Sequence, residues 1–254
     1  MTKFLKVSAL SLLFATPAFA QDLNTLVGKE SVTNRPLLLI VAMAGMALAP
    51  FVIIMVTSFV KIAVVLSIVR QAIGTQQIPP TQVITGMATI LTVYIMMPVG
   101  LDTYHAAKDR LLSLPIKTIS MESLSAGQII DMAKAAQYPL KDFLVKHSHD
   151  RERQMFYRLA WRMLKPRDRA TLTDADWIIV IPSFVVSELK ESFQIGFILF
   201  VPFLVIDMVV ANILMALGMQ MLSPTTISLP FKILLFVVVD GWYLITRGLV
   251  VGYF

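Results

Sequence analysis

Residues 184–222 read FVVSELKESFQIGFILFVPFLVIDMVVANILMALGMQML. A charged opening, Glu188, Lys190 and Glu191, leads into an almost unbroken apolar run that holds one acid, Asp207. The run closes on Gly218, Met219, Gln220 and Met221, just ahead of Ser223-Pro224. A helix of about 20 apolar residues crosses about 30 Å of hydrocarbon, and this run is longer than that. An acid at membrane depth is costly and marks a working site or a protein–protein contact. A thioether is flexible and polarizable, suited to a surface that deforms around something else. The stretch therefore predicts an all-α integral membrane protein whose helices meet other protein, with a pliable helix end.

Composition agrees. Of 254 residues, 57% are hydrophobic and 15% charged, against about 45–50% and about 25% in soluble domains. A formal charge of +6 in such a chain points to anionic membrane lipid before nucleic acid. Cysteine is absent, which rules out disulfides, thiolate metal sites and thiol nucleophiles.

Residues 1–20, MTKFLKVSALSLLFATPAFA, carry the basic end, short apolar centre and Ala18-Phe19-Ala20 ending of a cleavable signal peptide. Cleavage between Ala20 and Gln21 leaves residues 21–36 as an extracytoplasmic N-terminal segment. Two uncharged runs, 37–56 and 83–101, lie on either side of the turn at residues 74–80, and make a first helical hairpin over residues 37–101. A helix running on to Arg70 holds Lys61 well inside, where it snorkels to an interface or meets an acid of a neighbouring helix or subunit.

The second hairpin covers residues 183–254. Its first run is interrupted at Pro202; Pro224 and Pro230 frame a short connection; its second run carries Lys232 and Asp240. Both helices are thus expected to bury an acid. Four spans with the mature N-terminus outside place residues 102–182 outside too. The positive-inside rule prefers the opposite, but it weakens for loops beyond about 60 residues.

Residues 102–182 hold most of the charge and read as a polar, helical, periplasmic insertion. A helix through 126–136 is expected to break at Tyr138-Pro139. Phe143, Leu144, Met155, Phe156, Leu159 and Met163 then recur at helical spacing, and Lys165-Pro166 ends that helix. The arginines between Arg151 and Arg169 alternate with acids and accompany no groove-reading motif, so they describe a solvated face rather than a nucleic-acid site. His147-x-His149 lacks further ligands for a metal.

No HExxH, GxSxG, phosphate-binding loop or dinucleotide fingerprint occurs. Glu188 and Glu191 share a helix face, yet Lys190 lies beside them and no histidine or metal partner is in view. Acids at a helix start also gain from the macrodipole. No catalytic residue, cofactor or metal is expected. Asp207 and Asp240 read either as a proton relay or as acids held by neighbours, with Asn212 and Lys232 as local candidates.

TSFVKI at 57–62, IPPTQVITGMA at 78–88, SELKESFQIGF at 187–197, PFLVIDMVVANILMALGM at 202–219 and SPTTISLPFKILLFVVVDGW at 223–242 resemble the export-gate protein of bacterial type III secretion, called FliP in flagella and SctR in injectisomes. The likeness covers both hairpins. It implies a homopentamer joined by two further export-gate membrane proteins, one like FliQ or SctS and one like FliR or SctT. It also implies a helical ring through which unfolded protein crosses the inner membrane, held largely above the membrane plane.

In that family a methionine run after the third helix lines a constriction and acts as a gasket. Here the run maps to Met219, Gln220 and Met221, and Gln220 departs from the methionine usual in the middle. Soft side chains on a Gly-flanked turn can seal by dewetting and yield sideways; without the likeness, ordinary helix-end packing explains them equally. Lys61, Glu188, Lys190 and Glu191 are expected to hold protomers together. A cleaved signal is usual in the flagellar branch, whereas the LSPTTISLPFK turn resembles the injectisome branch; the reading leans to an injectisome export-gate subunit, with a flagellar one as the alternative. The reading from another class is a small-solute or ion secondary transporter with Asp207 and Asp240 as coupling acids.

Overall fold

The computed structural model describes residues 36–75, 78–112, 126–219 and 221–254. The signal-peptide boundary at Ala20 and Gln21, most of the N-terminal segment, and Gln220 lie outside the described residues. Among the described residues there are nine α-helices and no strand: α1 (Pro36–Met55), α2 (Phe59–Ile73), α3 (Thr81–Leu112), α4 (Ala126–Lys146), α5 (Asp150–Met163), α6 (Pro166–Arg169), α7 (Trp177–Ala216), α8 (Pro224–Val238) and α9 (Gly241–Val251). α3 and α7 are each long and apolar enough to cross a membrane, and the bent pairs α1–α2 and α8–α9 bring the number to four if each is one span.

Proline punctuates these helices less than its chemistry suggests. A proline inside a helix removes one backbone hydrogen bond and crowds the preceding turn. Even so, α4 runs through Pro139, α7 runs through Pro202, and α8 begins at Pro224 and continues past Pro230. The expected break at Tyr138-Pro139 and the expected connection over residues 225–229 are therefore both helical. Pro224 sits at the first helical position after Ser223, where its missing N–H costs nothing.

The breaks fall elsewhere. Residues 56–58 separate α1 from α2, so the helix expected to reach Arg70 unbroken is two helices. α8 and α9 meet at 59°, through Asp240 at φ 51°, a left-handed conformation that a non-glycine residue rarely takes. A Cβ on the adjacent Gly241 would lie 2.3 Å from the Phe236 ring, so the turn is closed by a residue without one.

The chain divides into two compact units. One comprises the residues up to Ile53, Val99–Val145 and Arg153–Pro182. Here Trp177 Nε1 donates to Gln137 Oε1 at 3.3 Å, tying the start of α7 to α4. Arg153 Nη1 donates to the Val145 carbonyl at 3.2 Å, and the Arg169 guanidinium lies 4.2 Å from the Trp161 ring centroid. On α5, Met155, Leu159 and Trp161 stay exposed while Ala160 is buried.

The other comprises Ile54–Pro98, Lys146–Glu152 and Ser183–Phe254. Its core is the face of α2 formed by Ile62, Val65, Leu66 and Val69, together with Ile84, Ala88, Phe184, Phe236, Ile245 and Leu249. A Cβ on Gly196 would meet Ile68 Cδ1 at 2.4 Å, so α7 approaches α2 as closely as a bare backbone allows. Arg70 Nη1 donates to Thr81 Oγ1 at 3.1 Å and closes the turn between α2 and α3. Both clusters of the candidate site lie in this unit.

Candidate channel loop and buried charge clusters

Lys61 stands on the core face of α2 and is almost fully buried. Its Nζ lies 3.0 Å from Glu188 Oε1 and 2.6 Å from Glu191 Oε2. The two acids are three residues apart on α7 and so project from one face. Glu188 is wholly buried; its second oxygen accepts a hydrogen bond from the Tyr253 hydroxyl. Tyr253 also offers its ring to Lys61, whose Nζ is 4.2 Å from the ring centroid, a cation–π arrangement. A buried carboxylate survives only when its charge is paired and its oxygens are satisfied, and here lysine and phenol share that task.

The short segment between α4 and α5 covers this cluster. The His147 ring centroid is 5.0 Å from that of Tyr253. Burial, with the Lys61 and Lys146 cations nearby, pushes the His147 imidazole down to about 4. The His149 backbone N–H donates to the buried Ser187 Oγ at 2.9 Å, and His149 Nε2 lies 3.4 Å from Glu191 Oε1. Lys190 turns outward from its neighbours and meets Glu152 Oε1 at 3.0 Å. That hydrogen bond holds the Glu152 carboxyl below the usual carboxylate range.

A second cluster lies further along α7. Asp207 Oδ2 is 2.6 Å from Lys232 Nζ, and Ser228 Oγ donates to Asp207 Oδ1 at 2.5 Å. Lys232 also donates to the Ala72 carbonyl at 3.3 Å. One ammonium thus joins α7, α8 and the C-terminal end of α2. Lys232 is the partner suggested for Asp207 by sequence; Asn212 makes no part of this cluster. Asp240, expected to be buried, is exposed at the α8–α9 break.

Between these helices runs the methionine loop. α7 ends in a left-handed glycine, Gly218 at φ 72°. The Gly218 N–H donates to the Met215 carbonyl at 3.0 Å and the Met219 N–H to the Leu214 carbonyl at 2.9 Å. That pair of bonds is the Schellman ending, which satisfies the last carbonyls and turns the chain sharply. Met219 is 49% exposed and Met221 100% exposed. The loop thus presents thioethers outward rather than packing them on its own helices, and Ser223 Oγ closes its far side on Thr225 Oγ1 at 2.8 Å.

Comparison with known proteins adds the decisive observation. The FliP family model matches residues 42–249. The chain belongs to the FliP family. It is 40% identical over 215 residues to the hypersensitivity response secretion protein HrcR of Ralstonia nicotianae, covering 85% of this chain and 96% of that one. It is 43% identical over 216 residues to the Yop proteins translocation protein R of Yersinia pestis, covering 85% and 95%. It is 43% identical over 211 residues to the flagellar biosynthetic protein FliP of Bacillus subtilis, covering 83% and 89%. The FliP-family match spans the charged residues of both clusters and the methionine loop, and stops short of Tyr253.

Sequence reasoning found Lys61, Glu188, Glu191, Asp207 and Lys232 but not all that completes them. Ser187, Ser228 and Tyr253 were missed. The signal for Tyr253 was present: Gly241, Ile245, Leu249 and Tyr253 are spaced by four and all are buried, so Tyr253 continues the core face of α9.

Proposed function

We propose that this FliP-family chain is a non-enzymatic core subunit of a type III secretion export gate in the bacterial inner membrane. Copies of it, as a pentamer, and the two further export-gate membrane proteins would enclose the passage for unfolded substrates. What carries the reading is family membership over residues 42–249, together with apolar surface that one copy leaves open. Only 11% of the most apolar window of α7 is buried within the chain. Phe193, Phe197 and Ile198 are each more than 60% exposed. Burying such a side chain is worth about 1.5–3 kcal/mol, so this face is built to be covered by lipid or by sibling subunits.

In this reading Met219, Gln220 and Met221 line the constriction, and the two charge clusters fix the helices that carry them. Lys61 with Glu188 and Glu191, and Asp207 with Lys232, brace the protomer from inside, so that a preformed surface meets the next copy. Asp240, exposed at the α8–α9 break, and Lys190, half-exposed on its bond to Glu152, would serve contacts between subunits. The mature N-terminus and residues 102–182 face the periplasm. The LSPTTISLPFK turn favours the injectisome branch; relatives of both branches match equally well, and the neighbouring genes decide between them.

The transporter alternative finds no support. Asp207 is neutralised by Lys232, Asp240 stands at an exposed helix break, and the named relatives are secretion, translocation and flagellar proteins. The test of the gate reading is complementation. Expression in a type III secretion strain lacking its own family member should restore export and co-purify the two partner membrane proteins. A stably inserted chain that restores no export and captures neither partner contradicts it.

A further inference from the structure

The segment between α4 and α5 is held over the Lys61 cluster by contacts that respond differently to protons. His147 lies against the Tyr253 ring at 5.0 Å between centroids, and Lys61 reaches the same ring at 4.2 Å. His147 and a buried ammonium therefore approach the same aromatic ring. The groups around it are Lys61 from α2, Lys146 from its own segment, Glu191 from α7 and Tyr253 from the chain end. Behind them Glu188 is held between Lys61 and Tyr253. Ser148 is buried, and the segment is pinned by the His149 N–H on Ser187 and by Glu152 on Lys190.

We propose that residues 146–152 form an acid-released strap, docked over the Lys61–Glu188–Tyr253 cluster while His147 is neutral and freed when a proton on His147 adds a second cation beside Lys61. The strap is tied to Ser187 and Lys190 of α7, so its release undoes both ties. This goes beyond the gate reading and does not depend on it, since every contact lies within one chain.

The direction of the effect is fixed by linkage. A docked His147 titrating near 4, against an ordinary value of about 6.5 when undocked, means that the free strap binds the proton first. Docking is at full strength above about pH 6.5 and weakens as pH falls towards 4. Glu152 is held below the usual carboxylate range by its hydrogen bond to Lys190, so that bond is favoured by deprotonation of Glu152.

The absence of cysteine makes a direct test simple. Nitroxide labels on Arg151→Cys and Leu244→Cys in the full chain, in detergent, report the strap-to-α9 distance by pulsed electron spin resonance. The ratio of open to docked strap should rise on the order of 50-fold from pH 7 to pH 4.5. His147→Gln, with an unchanged distance at pH 7, should abolish that rise, and His149→Gln should retain it. An acid opening that persists in His147→Gln, or no opening in the native chain, overturns the proposal. Should His147→Gln fail to fold, C2-proton exchange at the native His147 stands in. A midpoint near 4 supports the strap, and one near the ordinary histidine value overturns it.

Discussion

Lys61 and Glu188 meet at 3.0 Å with both side chains withdrawn from solvent, and Tyr253 closes the other side of the carboxylate. Removing one member of such a pair strands the other charge. Lys61→Ala should therefore lower stability by about 3–5 kcal/mol. Replacing both partners by apolar residues of similar size, Lys61→Met with Glu188→Met, should recover most of that loss, because no charge is left buried without a partner. Thermal unfolding in detergent measures both. A Lys61→Ala chain as stable as the native one, and equally able to form rings, would remove any bracing role for this cluster.

Gly196 has no room for a side chain beside Ile68. Gly196→Ala should cost about 1–3 kcal/mol through overpacking. The added Ile68→Ala should return part of it, since the clash is with that side chain alone. Additive losses in the double variant would show that the close approach of α7 to α2 is not the cause.

Asp207, Ser228 and Lys232 form one hydrogen-bonded unit. A double-mutant cycle on Asp207→Asn and Lys232→Met should give a coupling of about 0.5–3 kcal/mol. Zero coupling would mean that the two residues act independently and that the join between α7, α8 and α2 is not electrostatic.

The methionine loop predicts a leak. Met219→Ala with Met221→Ala removes the outward-facing thioethers and should raise ion conductance through the assembled complex in planar bilayers, while assembly is unaffected. Gly218→Ala forces a Cβ onto a left-handed backbone, a site where such a change destabilises, and should misdirect the loop. Unchanged conductance in correctly assembled complexes of the double alanine variant contradicts a sealing role.

What the sequence disclosed and what it hid follow from range. Apolar runs and isolated charges are local signals, so the membrane character, the helical class and the depth of Lys61 and Asp207 were legible. Which acid Lys61 meets depends on packing between α2 and α7, more than a hundred residues apart, though the three-residue spacing of Glu188 and Glu191 already placed both on one face. The bends were not legible. Val239-Asp240 contains neither glycine nor proline, and the turn there depends on Phe236 lying against Gly241. The prolines misled in the opposite direction: in α4, α7 and α8 the helix absorbs the lost hydrogen bond and continues.

The apolar flank of α7 around Phe193 and Phe197 and the outward thioethers of the loop are open in a single copy, and the proposed gate covers them with sibling subunits. Native mass spectrometry of the complex released from the membrane in mild detergent tests this most directly. The expected result is a ring of several copies carrying the two partner membrane proteins. A chain that leaves the membrane fully folded as a single copy, with nothing bound to it, contradicts the account.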